Sequence, residues 1–385
     1  MMKKELEAAY FPSGFYQSIP ETFPDFQAYR EHCKQGITFA KSNLNSPDFE
    51  KVISANMPFE LLPPSESIVK SRKGIILLHG LYDSPCIMRS LGDYFVNQGF
   101  KVRAILLPGH GTVPGDLLEI TYLDWLAQAS YGVESLKGEV EELYLGGFST
   151  GGLLSIYLAL MTPELLKGLF LFAPSLELTS SLNYIARFNK RLSIFLPAPH
   201  WLTIEKELDY AKYQSFCVNS LLQVYKLKEK VKEMFQTKKL ISPSFWVLTG
   251  QDEVLSSQKI VKVFNEKATS SSKLIYYSPK EKQFSDKRIQ WRTSQIKNKN
   301  IKNFSHVSLP VAPDHFHYGE QGDYIETIEN ELNKKTKHFG SSRNIKLSNP
   351  LGPTRLTYNP DFPNLMEAMT EWLGIAERAL AGNLK

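Results

Sequence analysis

The segment Gly147-Phe148-Ser149-Thr150-Gly151 sets a serine between glycines two positions before it and two after it. It follows the apolar run Glu142–Gly146 and opens the helical pattern Leu153–Met161. On a sharp strand-to-helix turn a serine hydroxyl stands exposed at the edge of a sheet, and the flanking glycines let the two backbones approach. A helix N-terminus also favours negative charge developing nearby. The chemistry implied is nucleophilic, with Ser149 attacking a carbonyl; the alternative is a plain glycine-rich turn.

Acyl transfer through a serine needs oxyanion donors, a base and an acid. His79-Gly80-Leu81 ends the run Gly74–His79, and Gly80 permits a turn in which the Leu81 amide faces the site. With the Thr150 amide it supplies two oxyanion donors; His79 itself reads as structural. The acid is expected beyond the run Phe245–Leu248, because strand C-terminal ends gather catalytic groups in open α/β sheets. There Asp252 is framed by the turn after Gly250 and by Val254, and Glu253 is the alternative. The base comes last in the order Ser…Asp…His. His306, in Phe304-Ser-His306-Val-Ser-Leu309, is the expected base, with His315 and His317 as alternatives and His338 more distant. On a strand, His315 and His317 would share a face. No CxxC, HExxH or carboxylate cluster accompanies them, so no metal is expected, and the mechanism needs no cofactor. His32, His110 and His200 read as structural, His110 through a local hydrogen bond in the turn Leu107–Thr112.

Elements must position these groups. Short apolar runs at 74–79, 101–107, 142–146, 168–172, 245–248 and 273–277 alternate with helical patterns at 87–98, 123–136, 153–161, 258–266 and 362–378. That alternation predicts a mostly parallel sheet with helices on both faces. Its core covers 71–176 and 241–385. Residues 1–70 form an N-terminal extension packing on the core, with a helix at 26–41. Residues 177–240 are an excursion whose stripe Leu221, Val224, Leu227, Val231 and Met234 either packs on the domain or belongs to an inserted helical lid. A basic insertion at about 279–303 and a polar one at about 312–358 split the last part.

The 385 residues include 42% hydrophobic and 22% charged, which excludes a disordered or collagen-like chain. Three cysteines, Cys33, Cys86 and Cys217, exclude a disulfide scaffold. The net charge of +5 is local, because eight Lys/Arg from Lys280 to Lys302 face only Glu281 and Asp286. No nucleic-acid footprint follows. The basic stretch reads as a solvated surface hairpin or loop, or as a peripheral contact with anionic membrane, since Phe284, Ile289 and Trp291 interleave the charges. Glu205, Glu207 and Asp209 read as a solvated helix face, or as an acidic pocket for a free amine. The start of the chain has no apolar signal-peptide core, and the uncharged window Leu143–Pro163 holds four glycines that favour a strand, turn and helix over a membrane span. A cytoplasmic location is the expectation.

The stretches His79-Gly-Leu-Tyr-Asp-Ser-Pro85, Met88-Arg-Ser-Leu-Gly92, Leu107-Pro-Gly-His-Gly-Thr112, Asp116-Leu-Leu118 and Asp124-Trp125 resemble the α/β-hydrolase carboxylesterases and monoacylglycerol lipases, a group that includes lysophospholipase-like and serine aminopeptidase-like hydrolases. The resemblance runs from about 74 to 178 and resumes at 244–278 and in the last helix. It implies the α/β-hydrolase fold, a small-molecule acyl ester as substrate, Ser149 as nucleophile, Asp252 as acid, His306 as base and a lid in 177–240. In this chain Asp252 and His306 stand 54 positions apart, a longer step than the family pattern, with the basic insertion between them.

Overall fold

A computed structural model describes residues 8–15, 23–42, 48–64, 72–179, 200–324 and 355–382. His338, part of the expected lid (180–199) and most of the polar insertion (325–354) lie outside the described residues. The chain enters through helices α1 (Phe26–Lys41) and α2 (Phe49–Asn56) and the short strand β1 (Phe59–Leu61). Then come β2 (Lys73–Leu78), α3 (Arg89–Asn97), β3 (Phe100–Ile105), α4 (Tyr122–Leu136), β4 (Glu142–Phe148), α5 (Thr150–Met161) and β5 (Leu166–Phe172). The excursion holds a small ribbon, β6 (Trp201–Thr203) with β7 (Phe216–Cys217), and the long helix α6 (Val218–Thr237). The core resumes with β8 (Ser244–Thr249), α7 (Ser257–Lys267), β9 (Lys273–Ser278), β10 (Ile289–Thr293) and α8 (Phe362–Gly382).

Eight strands form one sheet in the order β1-β3-β2-β4-β5-β8-β9-β10, parallel except for β1. Burial on both faces is why the central strands carry unbroken apolar runs such as Ile75–Leu78, all buried. In the β2–β4 register Ile75 pairs with Tyr144 and Ile76 with Leu145, so neighbours alternate between faces. On one face Phe95 of α3, Phe170 and Trp372 of α8 meet edge to face at 4.7–5.4 Å. On the other, Gly132 of α4 lies against Ile76 and Ile105. α5 packs on β4 beside α4, and α6 packs on both helices.

The stripe Leu221, Val224, Leu227, Val231 and Met234 is buried by that packing. Local signals set the helix starts: Asp25 accepts from the Ala28 N–H at 2.7 Å before α1, and Thr121 with Asp124 forms a capping box before α4. The described N-terminal residues are tied to the core, Ser13 to the Asp116 carboxylate and the Tyr29 hydroxyl to the backbone of Leu106.

Three expectations need correction. The basic segment is not a surface hairpin or loop throughout: Ile289–Thr293 adds a strand parallel to β9. An edge strand tolerates charge, and three of the segment's eight cations are paired, Arg288 with Asp286, Arg292 with Asp361 and Lys299 with Glu320. Residues 204–215 are not a helix face; they form irregular chain in which Asp209 is buried. His315 and His317 lie in successive turns rather than on a strand. Among the described residues no helix is long and apolar enough to cross a membrane.

Candidate active site

The parallel register brings the C-terminal ends of β2, β4, β5 and β8 to one edge of the sheet, with Leu78 opposite Gly147, Phe148 opposite Phe172 and Phe172 opposite Val247. Ser149 follows β4 in a conformation few non-glycine residues adopt, φ 54° and ψ −113°. Such strain amounts to roughly 1–3 kcal/mol and persists only where surroundings over-determine it. Here they do: the Ser149 N–H donates to Phe172 O at 2.9 Å, and its carbonyl accepts from Leu153 and Ser175. The turn also demands bare backbone. A Cβ on Gly151 would overlap the carbonyl of Leu78, and one on Gly147 would overlap the Gly151 backbone. Gly151→Ala should therefore push β2 and the elbow apart by a fraction of an ångström to an ångström and lower kcat/KM for an ester about 100-fold, a typical loss for such misplacement. Unchanged kinetics in that variant would show that the close approach is not needed.

Ser149 Oγ lies 2.9 Å from His306 Nε2, and His306 Nδ1 lies 2.8 Å from Asp252 Oδ2. The second Asp252 oxygen accepts the Val254 and Leu255 N–H groups at 2.8 and 2.7 Å. The carboxylate is thus fixed as an acceptor, Nδ1 carries the proton, and Nε2 is left to accept from the serine. All three side chains are buried, with Ser149 only 7% exposed. Glu253, the alternative acid, faces elsewhere: it accepts the His306 backbone N–H at 3.2 Å and the Arg355 guanidinium at 2.8 Å, so it holds the loop and not the ring.

Leu81 lies in the loop three residues past β2 and Thr150 opens α5 directly after Ser149, so both follow neighbouring strands at this edge. The loop after β2 is pinned from the excursion: Tyr213 N–H donates to Tyr82 O at 2.9 Å, Tyr82 OH meets Ser220 Oγ at 2.6 Å, and Lys212 pairs with buried Asp83 at 2.7 Å. His79 anchors the same loop, with Nδ1–H donating to Gly80 O and Nε2 accepting the Leu107 N–H. Burial pushes its imidazole down to about 4 and that of His110 down to about 3, so both are neutral. His110 bonds the carbonyls of Leu107 and Pro108 in its turn.

The two alternative bases serve other networks. His315 donates to Cys86 O and accepts from two backbone N–H groups, and burial pushes it down to about 4. His317 sits between Asp209, at 2.8 Å, and Asp323. Tyr318 also donates to Asp209, and Tyr210 and Lys51 reach Asp323. Sequence reasoning missed this cluster, and it missed Ser175, whose Oγ lies 3.0 Å from that of Ser149. Ser175 was within reach, because Phe172-Ala-Pro-Ser175 leaves β5 at the same sheet edge. Among the described residues no group of three or more His, Cys, Asp or Glu is arranged to hold a metal ion.

A family model described as serine aminopeptidase, S33, matches residues 69–280, over half of the chain. A thermostable monoacylglycerol lipase of Bacillus sp. is 35% identical over 92 residues, 24% of this chain and 37% of that relative, so the match spans little more than a third of the relative's length. A carboxylesterase of Bacillus subtilis is 27% identical over 213 residues, 53% of this chain and 82% of that one. The solved structure of Paleococcus ferrophilus monoacylglycerol lipase aligns with 57% of this chain and 87% of its own, at 19% identity and a TM-score of 0.47.

Proposed function

The chain belongs to the hydrolase family described as serine aminopeptidase, S33, and we propose that it cleaves carboxylic esters through an acyl-enzyme on Ser149. The hydrogen-bonded series Asp252–His306–Ser149, closed at 2.8 and 2.9 Å at the carboxyl edge of a parallel sheet, carries this reading. Ser149 Oγ attacks the ester carbonyl while its proton passes to His306 Nε2. Asp252 keeps the ring in the tautomer that can accept that proton and stabilises the resulting cation. The amides of Leu81 and Thr150 receive the oxyanion. His306 then protonates the departing alcohol, water attacks the acyl carbon with His306 as base, and Ser149 leaves with its proton restored.

Two observations favour an ester over a peptide with a free amine. Relatives matching parts of the chain are named for ester substrates, a monoacylglycerol lipase and a carboxylesterase. The acids of the excursion are also engaged: Glu207 accepts the N–H groups of Gln214 and Ser215, and Asp209 binds His317 and Tyr318. Turnover of p-nitrophenyl esters of graded acyl length, compared with aminoacyl p-nitroanilides, tests the reading. Ester turnover with an optimum in acyl length is the expected result. Hydrolysis of the anilides with inert esters would assign the chain to aminopeptidase chemistry instead.

A further inference from the structure

Ser175 occupies a position the reaction scheme does not use. It is 2% exposed, its Oγ is 3.0 Å from Ser149 Oγ, and its backbone N–H donates to Ser149 O. A second strained residue puts it there: Ala173 has φ 43°, with its N–H held by Val247 O. That turn swings Ser175 back over the elbow. Ser149, which carries one hydroxyl of the pair, and Ala173, two residues before the other, are both left-handed non-glycine residues, and strain of this kind gathers at functional positions.

The direction of the hydroxyl–hydroxyl bond follows from the proton order. Asp252 accepts from His306 Nδ1–H, Nε2 accepts from Ser149, and Ser149 has no second proton to give. Ser175 must be the donor and Ser149 Oγ the acceptor. We propose that Ser175 is a further catalytic residue, donating to the reacting oxygen and assisting above all its departure from the acyl-enzyme. This rests on the reading of Ser149 as nucleophile.

The bias toward deacylation comes from comparing ground states. In the free enzyme Ser149 Oγ is a hydroxyl and already accepts a full hydrogen bond, so attack strengthens an existing bond. In the acyl-enzyme the same atom is an ester oxygen, a poor acceptor. As the tetrahedral intermediate collapses, the C–Oγ bond breaks, its electron pair returns to Oγ, and the proton comes from His306. Ser175 transfers no proton; its O–H meets an oxygen gaining charge, and a hydrogen bond to a charged acceptor is about twice as strong as a neutral one. The donor therefore contributes most where it starts from least.

Ser175→Ala should slow deacylation about tenfold and acylation only a few-fold, magnitudes fitting one hydrogen bond. With a p-nitrophenyl ester, kcat then falls with KM, kcat/KM changes a few-fold at most, and a burst of one product equivalent precedes slow turnover. Mass spectrometry of the quenched variant should find Ser149 acylated in the steady state, and Ser175→Thr, which keeps the hydroxyl, should restore wild-type partitioning. Equal loss in kcat and kcat/KM without acyl accumulation, or no change at all, would overturn the role of Ser175. Should Ser175→Ala fold poorly, Ser175→Cys, a weaker donor of similar size, gives the same comparison with an intermediate deacylation rate expected. A wild type whose Ser149 carries no acyl group at any quench time and resists a fluorophosphonate removes the nucleophile assignment itself, a result distinct from normal acylation with unaltered partitioning.

Discussion

Ser149→Ala will lower kcat for a p-nitrophenyl ester by about 10⁶-fold, His306→Ala by about as much, and Asp252→Asn by about 10⁴-fold. The asymmetry follows from the geometry. In the proposed mechanism Ser149 and His306 make and break bonds to the substrate or its proton, so loss of either ends covalent catalysis. Asp252 reaches the chemistry only through the ring, its Oδ2 holding the tautomer through Nδ1 at 2.8 Å while Oδ1 is held by the Val254 and Leu255 N–H groups. An asparagine amide there can present N–H to the ring, turning the proton to Nε2 and leaving no acceptor for the serine. The double variant Ser149→Ala/His306→Ala should be no slower than either single one, because the two act as a unit. Steady-state kinetics of the four proteins checks this. Additive losses would mean that the two side chains do not share one proton transfer.

His317→Leu will destabilise the fold by about 3–5 kcal/mol, the range for breaking a buried ion pair, while leaving the chemistry of any molecules still folded nearly unchanged. The ring bridges Asp209, on the excursion, and Asp323, in the polar segment. Among the described residues, removing it leaves the buried Asp209 carboxylate with only neutral hydrogen-bond donors, the Tyr318 hydroxyl and the Ala211 N–H. Adding Asp209→Leu should recover part of the loss, since the uncompensated charge goes with it.

The cluster also sets a pH window. Burial alone pushes the His317 imidazole down, but its hydrogen bonds to Asp209 and Asp323 outweigh that and raise it above 6.5. Its contribution is complete below pH 6.5 and fades as pH rises through the raised value. Burial pushes the Asp323 carboxyl up, yet His317, Lys51 and Tyr210 hold it at about 2, below the ordinary 3.8. Its contribution is complete above 3.8 and is lost as pH falls toward 2. The cluster therefore stabilises most between about pH 4 and 6.5. Lys41, near Glu207 and Asp209, is pushed by burial down to about 8 and acts with the opposite sign above that pH, so melting curves are best compared below it. A wild-type Tm that does not fall from pH 6 to 8 relative to His317→Leu would contradict the bridge.

The grouping of the candidate side chains was legible where local pattern and topology agree. Gly147, Ser149 and Gly151 announce a tight strand-to-helix turn, and the close approach of Gly151 to Leu78 is the physical reason for the second glycine. Asp252 and His306 followed from strand ends and chain order, across 54 positions. Less legible was β10: Ile-Gln-Trp-Arg-Thr lies among lysines and arginines, and only pairing with β9 makes it a strand. β1 is three half-buried residues whose pairing with β3 leaves no periodic trace. The Asp209–His317 pair spans 108 positions between two irregular segments, so neither side chain carries a local signal of the other. Ser175 lay on a predictable edge but matched no motif.

The most direct measurement is rapid acid quench of wild-type protein during the first turnover of a p-nitrophenyl ester, followed by peptide mapping by mass spectrometry. The expected result is the acyl mass on the peptide containing Ser149, absent from Ser149→Ala. Ester hydrolysis with the acyl group on another side chain, or hydrolysis undiminished in Ser149→Ala, would contradict the acyl-enzyme at its root.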